Sequence, residues 1–164
     1  MLKDTIKEDM KTAFKAGDTV TRGTLTMLLA VIQNRELEKR AKLMKTGATT
    51  EAEVAEKSQL TDEEVIEAVS TEIKKRKDAA SQYEAAGRTE LAVGETAEAA
   101  ILMKYMPEQM SEDAVKELVK QAIAETGAAG AKDTGRVMGA VAPKTKGKFD
   151  GARLNALVKE ALSV

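Results

Sequence analysis

The sequence predicts an all-α fold, an N-terminal bundle of long helices followed by a small C-terminal three-helix bundle. Three observations predict it. The aromatic set is only Phe14, Phe149, Tyr83 and Tyr105, with no Trp, so Leu, Ile, Val, Met and Ala must fill the core, which suits helix packing better than a sheet. Apolar residues recur at spacings of three and four among charged ones. No segment carries period-two alternation long enough for a strand, and no repeat of fixed period stands out. A chain of 164 residues is long enough for one ordinary domain or two small ones.

Leu2, Ile6, Met10, Ala13 and Phe14 share one face of a first amphipathic helix, which Gly17 stops. The run Leu25, Met27, Leu28, Leu29, Val31 and Ile32 is apolar nearly all round, as expected of a buried central helix that emerges into solvent near Arg35 and ends at Gly47. The small, polar segment from Gly47 to Gln59 reads as a mobile connection with room for one short helical piece. Thr61-Asp62-Glu63-Glu64 has the form of a capping box and starts a third long helix. Its inner stripe is Val65, Ile66, Val69, Ile73, Ala80 and Tyr83, with Glu72, Lys74, Lys75, Lys77 and Asp78 outward, and Gly87 breaks it. The basic run at 73–77 reads first as a solvated helix face, since acids flank it within a turn or two.

A fourth helix from Thr89 to Met106 opens with acids and stops at Pro107; Glu95 and Glu98 read as a solvated face. Pro107-Glu108-Gln109-Met110 is the candidate boundary, placing a helical domain over 1–107 and a second over 108–164. Ser111 caps a helix whose apolar stripe is Val115, Leu118, Val119, Ala122 and Ile123, closed by Gly127. Asp133 or Thr134 starts a short helix through Val141 that Pro143 ends. Asp150 caps a last one carrying Leu154, Leu157, Val158, Ala161 and Leu162.

Absent residues exclude several chemistries. With no Cys there are no disulfides, no thiol catalysis and no Cys-ligated zinc; with no His there is no Ser-His or Cys-His pair within the chain. No cofactor motif is legible: GAAGAK at 127–132 lacks the spacing of a phosphate-binding loop, and no strand precedes it. The N-terminus lacks the apolar run of a secretion signal and no segment approaches a membrane span, so a cytoplasmic protein with no membrane association is expected. A net charge of -1 argues against a generally basic, nucleic-acid-coating protein, so any such contact must be local.

The local candidate is KDTGRVMGAVAPKTKGKFDGAR, from Lys132 to Arg153. Lys132, Arg136, Lys144, Lys146, Lys148 and Arg153 stand there against Asp133 and Asp150, a local excess of four positive charges. In an extended Lys144-Lys148 loop, alternate side chains point the same way and three ammonium groups project together, a repulsion that an anionic partner relieves. The bland alternative is a solvated linker. Gly135 and Gly139, four apart, read first as positions that let another backbone approach closely. With only Phe149 to stack, recognition by backbone and shape is expected rather than base reading.

The segments LTDEEVIEAVSTEIKKRKDAASQYEAAGRTELA, ILMKYMPEQMSEDAVKELV and GRVMGAVAPKTKGKFDGARLNALVKEAL resemble the GatB/YqeY family, specifically its stand-alone YqeY-like members. The family's tail pattern matches at Gly135, Val137, Met138, Lys144, Lys146, Gly147, Asp150 and Gly151, and departs at Ala142, where a larger apolar residue is usual. The resemblance implies a two-part all-helical protein whose C-terminal bundle contacts tRNA, since a similar module forms the tail of the B subunit of tRNA-dependent amidotransferases and is appended to some glutaminyl-tRNA synthetases. Carbon-nitrogen ligase chemistry with glutamine as amide donor attaches to the family by association only, because the catalytic portion of the amidotransferase is not represented here.

Two functional classes follow, and a third is not supported. The first is a non-catalytic tRNA-binding module acting through Lys132, Arg136, Lys144, Lys146, Lys148 and Arg153. The second is a helical adaptor whose N-terminal helices dock on an aminoacyl-tRNA synthetase or amidotransferase. As for an enzyme, composition leaves Lys and carboxylate chemistry open, but no constellation of nucleophile, base and orienting group is legible.

Overall fold

The computed structural model describes residues 1–45 and 50–163. Its helices are α1 (Leu2–Ala16), α2 (Thr19–Lys45), α3 (Glu51–Lys57), α4 (Asp62–Ala85), α5 (Thr89–Met103), α6 (Glu112–Thr126), α7 (Thr134–Thr145) and α8 (Gly151–Leu162), with a 3-10 turn at Ala131–Asp133. The fold is all-α, with no strand among the described residues. The expected helix end at Gly47 lies outside them. The chain packs as two compact units, Met1–Met106 and Pro107–Val164.

In the first unit, Ile6 of α1, Leu25, Leu28 and Ile32 of α2, Val65 and Val69 of α4 and Leu102 of α5 meet in one core. Local chemistry sets the helix ends. Gly17 takes the left-handed conformation that closes α1 (φ 73°), and the Thr61 box is complete: Glu64 N–H donates to Thr61 Oγ1 at 3.3 Å and Thr61 N–H to a Glu64 carboxylate oxygen at 2.8 Å. A second box, Thr50 with Glu53, starts α3, which buries Val54. The short helical piece in the connection is therefore a capped helix with an anchored side chain.

Several expectations for this unit are corrected. Phe14 is 63% exposed, because α1 buries the Ile6–Ala13 stripe and the next residue is turned about 100° away; the Arg22 guanidinium covers the ring at 4.9 Å. The apolar run of α2 is not buried all round: Leu25, Leu28 and Ile32 are inside, but Met27 is half exposed. Glu72, expected outward, is buried, and so is Arg76 within the basic run. Both share the helix face of Val69, Ile73 and Ala80. The Arg76 guanidinium donates to a Glu72 carboxylate oxygen at 3.0 Å and to Glu98 of α5 at 2.9 Å, so the paired charges stay in the α4–α5 interface. Glu98 is thus a partner of Arg76 and not simply part of a solvated face.

In the second unit α6, α7 and α8 enclose Val115, Val119, Val137, Val141, Leu154 and Val158. Ser111 Oγ accepts from Ala114 N–H at 3.2 Å, Gly127 closes α6 with φ 64°, and Asp150 Oδ1 accepts from Arg153 N–H at 2.7 Å. Pro143 does not end the short helix. It lies inside α7, which runs on to Thr145. The ring removes the N–H that would bond the Gly139 carbonyl, and Gly139 is exposed. Beyond it, the buried Thr145 hydroxyl donates to the Val141 carbonyl at 3.1 Å and holds the last turn. The packing role expected of Gly135 and Gly139 is also corrected: a Cβ built at either meets nothing within 4 Å.

Candidate nucleic-acid interface

The six cations of the basic stretch occupy three different settings. Lys132 sits in the 3-10 turn and Arg136 in the first turns of α7, both exposed. The Arg136 guanidinium donates to the Thr126 carbonyl at 3.4 Å and lies 3.5 Å from Asp133 Oδ1, so it caps the end of α6 and half-pairs with an acid. Lys144, Lys146 and Lys148 gather at the opposite end of α7. Arg136 and Lys144 are about 12 Å apart along the helix axis, more than a Debye length of about 8 Å at physiological ionic strength. What the sequence shows as one basic run is therefore two separate charge groups.

Arg153 stands apart from both. Its Nε and one terminal nitrogen donate to the two oxygens of Glu112 at 3.0 and 2.8 Å, and the other terminal nitrogen donates to Glu160 at 3.0 Å. Hydrogen bonds from Arg153, then from Lys116, hold the Glu112 carboxyl down at about 2, and Glu112 in turn raises the pKa of Arg153. This network ties the start of α6 to α8.

The backbone at the lysine group is not extended, contrary to the expectation. Lys146 has φ −57° and ψ 123°, Gly147 has φ 73°, and Lys148 N–H donates to the Thr145 carbonyl at 2.9 Å. These are the marks of a type II turn, whose third residue favours glycine because its φ is positive. The end of α7 and the turn, rather than strand alternation, present the lysines. All three are exposed, and among the described residues no carboxylate pairs with Lys144 or Lys148. Lys144, in the last turn of α7, also suits the negative end of the helix dipole. Lys146 and Lys148 lie beyond the helix.

Sequence reasoning missed the segment that holds this turn. Met110 N–H donates to the Lys148 carbonyl at 2.8 Å, and the Gln109 side-chain amide donates to the carbonyls of Pro107 at 2.8 Å and Gly147 at 3.0 Å. Nothing in the local pattern of PEQM signals a partner 38 residues away.

The sequence model of the YqeY-like protein family matches residues 43–162. The chain belongs to the YqeY-like family. The match takes in α3 to α8 and therefore all six cations of the basic stretch, while α1 and nearly all of α2 precede it. No curated protein matches this YqeY-like chain. Among its described residues no helix is long and apolar enough to cross a membrane.

Proposed function

We propose that this YqeY-like protein is a non-catalytic RNA-binding module, with tRNA as its ligand, and that the turn from Lys144 to Lys148 is the principal phosphate contact. The observation that carries the reading is three exposed lysines within five residues on a glycine-dependent turn, in a chain whose net charge is -1. Lys132 and Arg136 form a second, weaker contact at the far end of α7. Arg153, engaged by two carboxylates, acts by fixing α8 against α6. The scarcity of aromatic side chains supports recognition of backbone and shape over base stacking. The Lys144→Ala, Lys146→Ala, Lys148→Ala triple variant should bind tRNA more weakly at moderate salt with unchanged helicity. Its log-affinity against log-salt slope should be smaller by about 0.7–0.9 for each phosphate that the variant no longer neutralises. Equal affinity and slope in wild type and variant would refute the proposal.

A second reading, a protein adaptor serving an aminoacyl-tRNA synthetase or amidotransferase, is favoured by one observation. Every large apolar side chain that is exposed among the described residues lies in the first unit, Phe14, Val20, Met27, Leu91 and Val93 among them. A protein partner that stays bound after nuclease treatment, and is released when Leu91 and Val93 are made polar, would favour the adaptor.

A further inference from the structure

We propose that Gln109 is a positioning residue for the lysine turn: its side-chain amide, with the Met110 backbone amide, straps the Gly147 and Lys148 peptides so that the lysine side chains at the turn leave toward an RNA backbone from a fixed main chain. This rests on the phosphate-binding reading of the turn. Gln109 is exposed, yet its NH2 group serves two backbone carbonyls, at Pro107 and Gly147. Carbonyls only accept, so the amide orientation is settled: the nitrogen faces them. The peptide before Lys148 is thereby held through the Gly147 oxygen, and the one after it through the Lys148 oxygen, which accepts from Met110 N–H at 2.8 Å. The Lys148 N–H is spent inside the turn on Thr145. Lys148 is thus fixed at its own amide and at both carbonyls flanking it, although its side chain is free in solvent.

That arrangement has a consequence for binding. Like charges gathered on an unrestrained loop spread apart, and each must be reordered when an anion binds. A strap that holds the peptides in place removes part of that ordering cost before the ligand arrives. Ser111, which caps α6 immediately after the strap, anchors its far end. The strap is the segment by which the chain enters the second unit, so the turn and the unit's point of entry form one hydrogen-bonded piece.

The test is Gln109→Ala in the full chain, alone and combined with the lysine triple variant. Exchange of the Lys148 and Phe149 amides, both bonded to the Thr145 carbonyl, should accelerate in Gln109→Ala while amides in α6 and α8 keep their protection. Affinity for tRNA should fall several-fold in the wild-type background and change no further in the triple variant, because the two act through the same contact. Gln109→Asn, which keeps a donor, should recover part of both effects. Unchanged amide exchange would overturn the strap whatever the RNA result. An equal loss of affinity in both backgrounds would overturn its action through the lysines. If the triple variant binds like wild type while exchange still accelerates, the strap stands and the RNA reading of the turn fails.

Discussion

Replacing Arg76 by Met should be one of the most damaging single changes in the first unit. The Arg76 side chain is 7% exposed and the Glu72 side chain 8%, and they meet at 3.0 Å. Without the guanidinium, Glu72 keeps among the described residues only Lys75, whose side chain is 65% exposed, while Glu98, 29% exposed, can turn to water. Breaking one partner of a buried pair costs about 3–5 kcal/mol, whereas replacing both by apolar residues is often close to neutral. Glu72→Met with Arg76→Met should therefore recover most of what Arg76→Met loses. Tyr83 and Tyr105 both lie in the first unit and the chain has no Trp, so urea unfolding followed by tyrosine fluorescence reports that unit alone. The loss should also depend on pH. Burial works against the Glu72 carboxylate, but hydrogen bonds from Lys75 and Arg76 outweigh it and hold its pKa below the ordinary glutamate value. The stabilisation is complete above the ordinary carboxyl range and disappears as pH falls through the lowered value, so wild type and Arg76→Met should converge in acid. A cost below about 1 kcal/mol at neutral pH, or a double variant as unstable as the single one, would refute this account of the pair.

Two further outcomes separate buried from surface apolar positions and test a second polar contact. Leu28→Ala should destabilise the first unit by about 2–5 kcal/mol, since Leu28 is 1% exposed, and Phe14→Ala by well under half of that, with its ring mostly in solvent; paired urea curves decide. Burial, together with its hydrogen bond and the charge of Asp9 at 2.7 Å, pushes the Tyr105 phenol above its ordinary range. In a Tyr83→Phe background, phenolate absorbance should not rise at the ordinary phenol value of about 10 while the protein stays folded. The neutral phenol's contribution to stability is present throughout the lower range and disappears only as pH rises through the raised value. Reversible ionisation near 10 in the folded state would contradict the Tyr105–Asp9 contact.

The basic character of the candidate interface was legible as charge density, because six cations within 22 residues need no fold to be counted. Which of them lie together was not. Arg153 looks like its neighbours in sequence, yet Glu112, 41 residues earlier, takes up its guanidinium. The lysine turn was misread as extended because alternation of Lys with Thr and Gly imitates a strand, whereas the positive φ of Gly147 and the strap at Gln109 make it a turn.

By itself the sequence determined the all-helical class and most of the helix ends. Caps at Gly17, Thr61, Ser111, Gly127 and Asp150 are completed by atoms within a few residues, so local chemistry suffices to place them. The period also placed the buried stripe of most helices, and only the tertiary structure decided the residues at the edges of those stripes and the charged ones within them. Period put Phe14 in the core, and charge put Glu72 in water although it shares the face of Val69 and Ile73; packing against the other helices left Phe14 out, and Arg76 with Glu98 at hand lets Glu72 stay in. Long-range partners settle such positions, since a buried charge is tolerable only where another helix or turn brings the opposite charge to meet it.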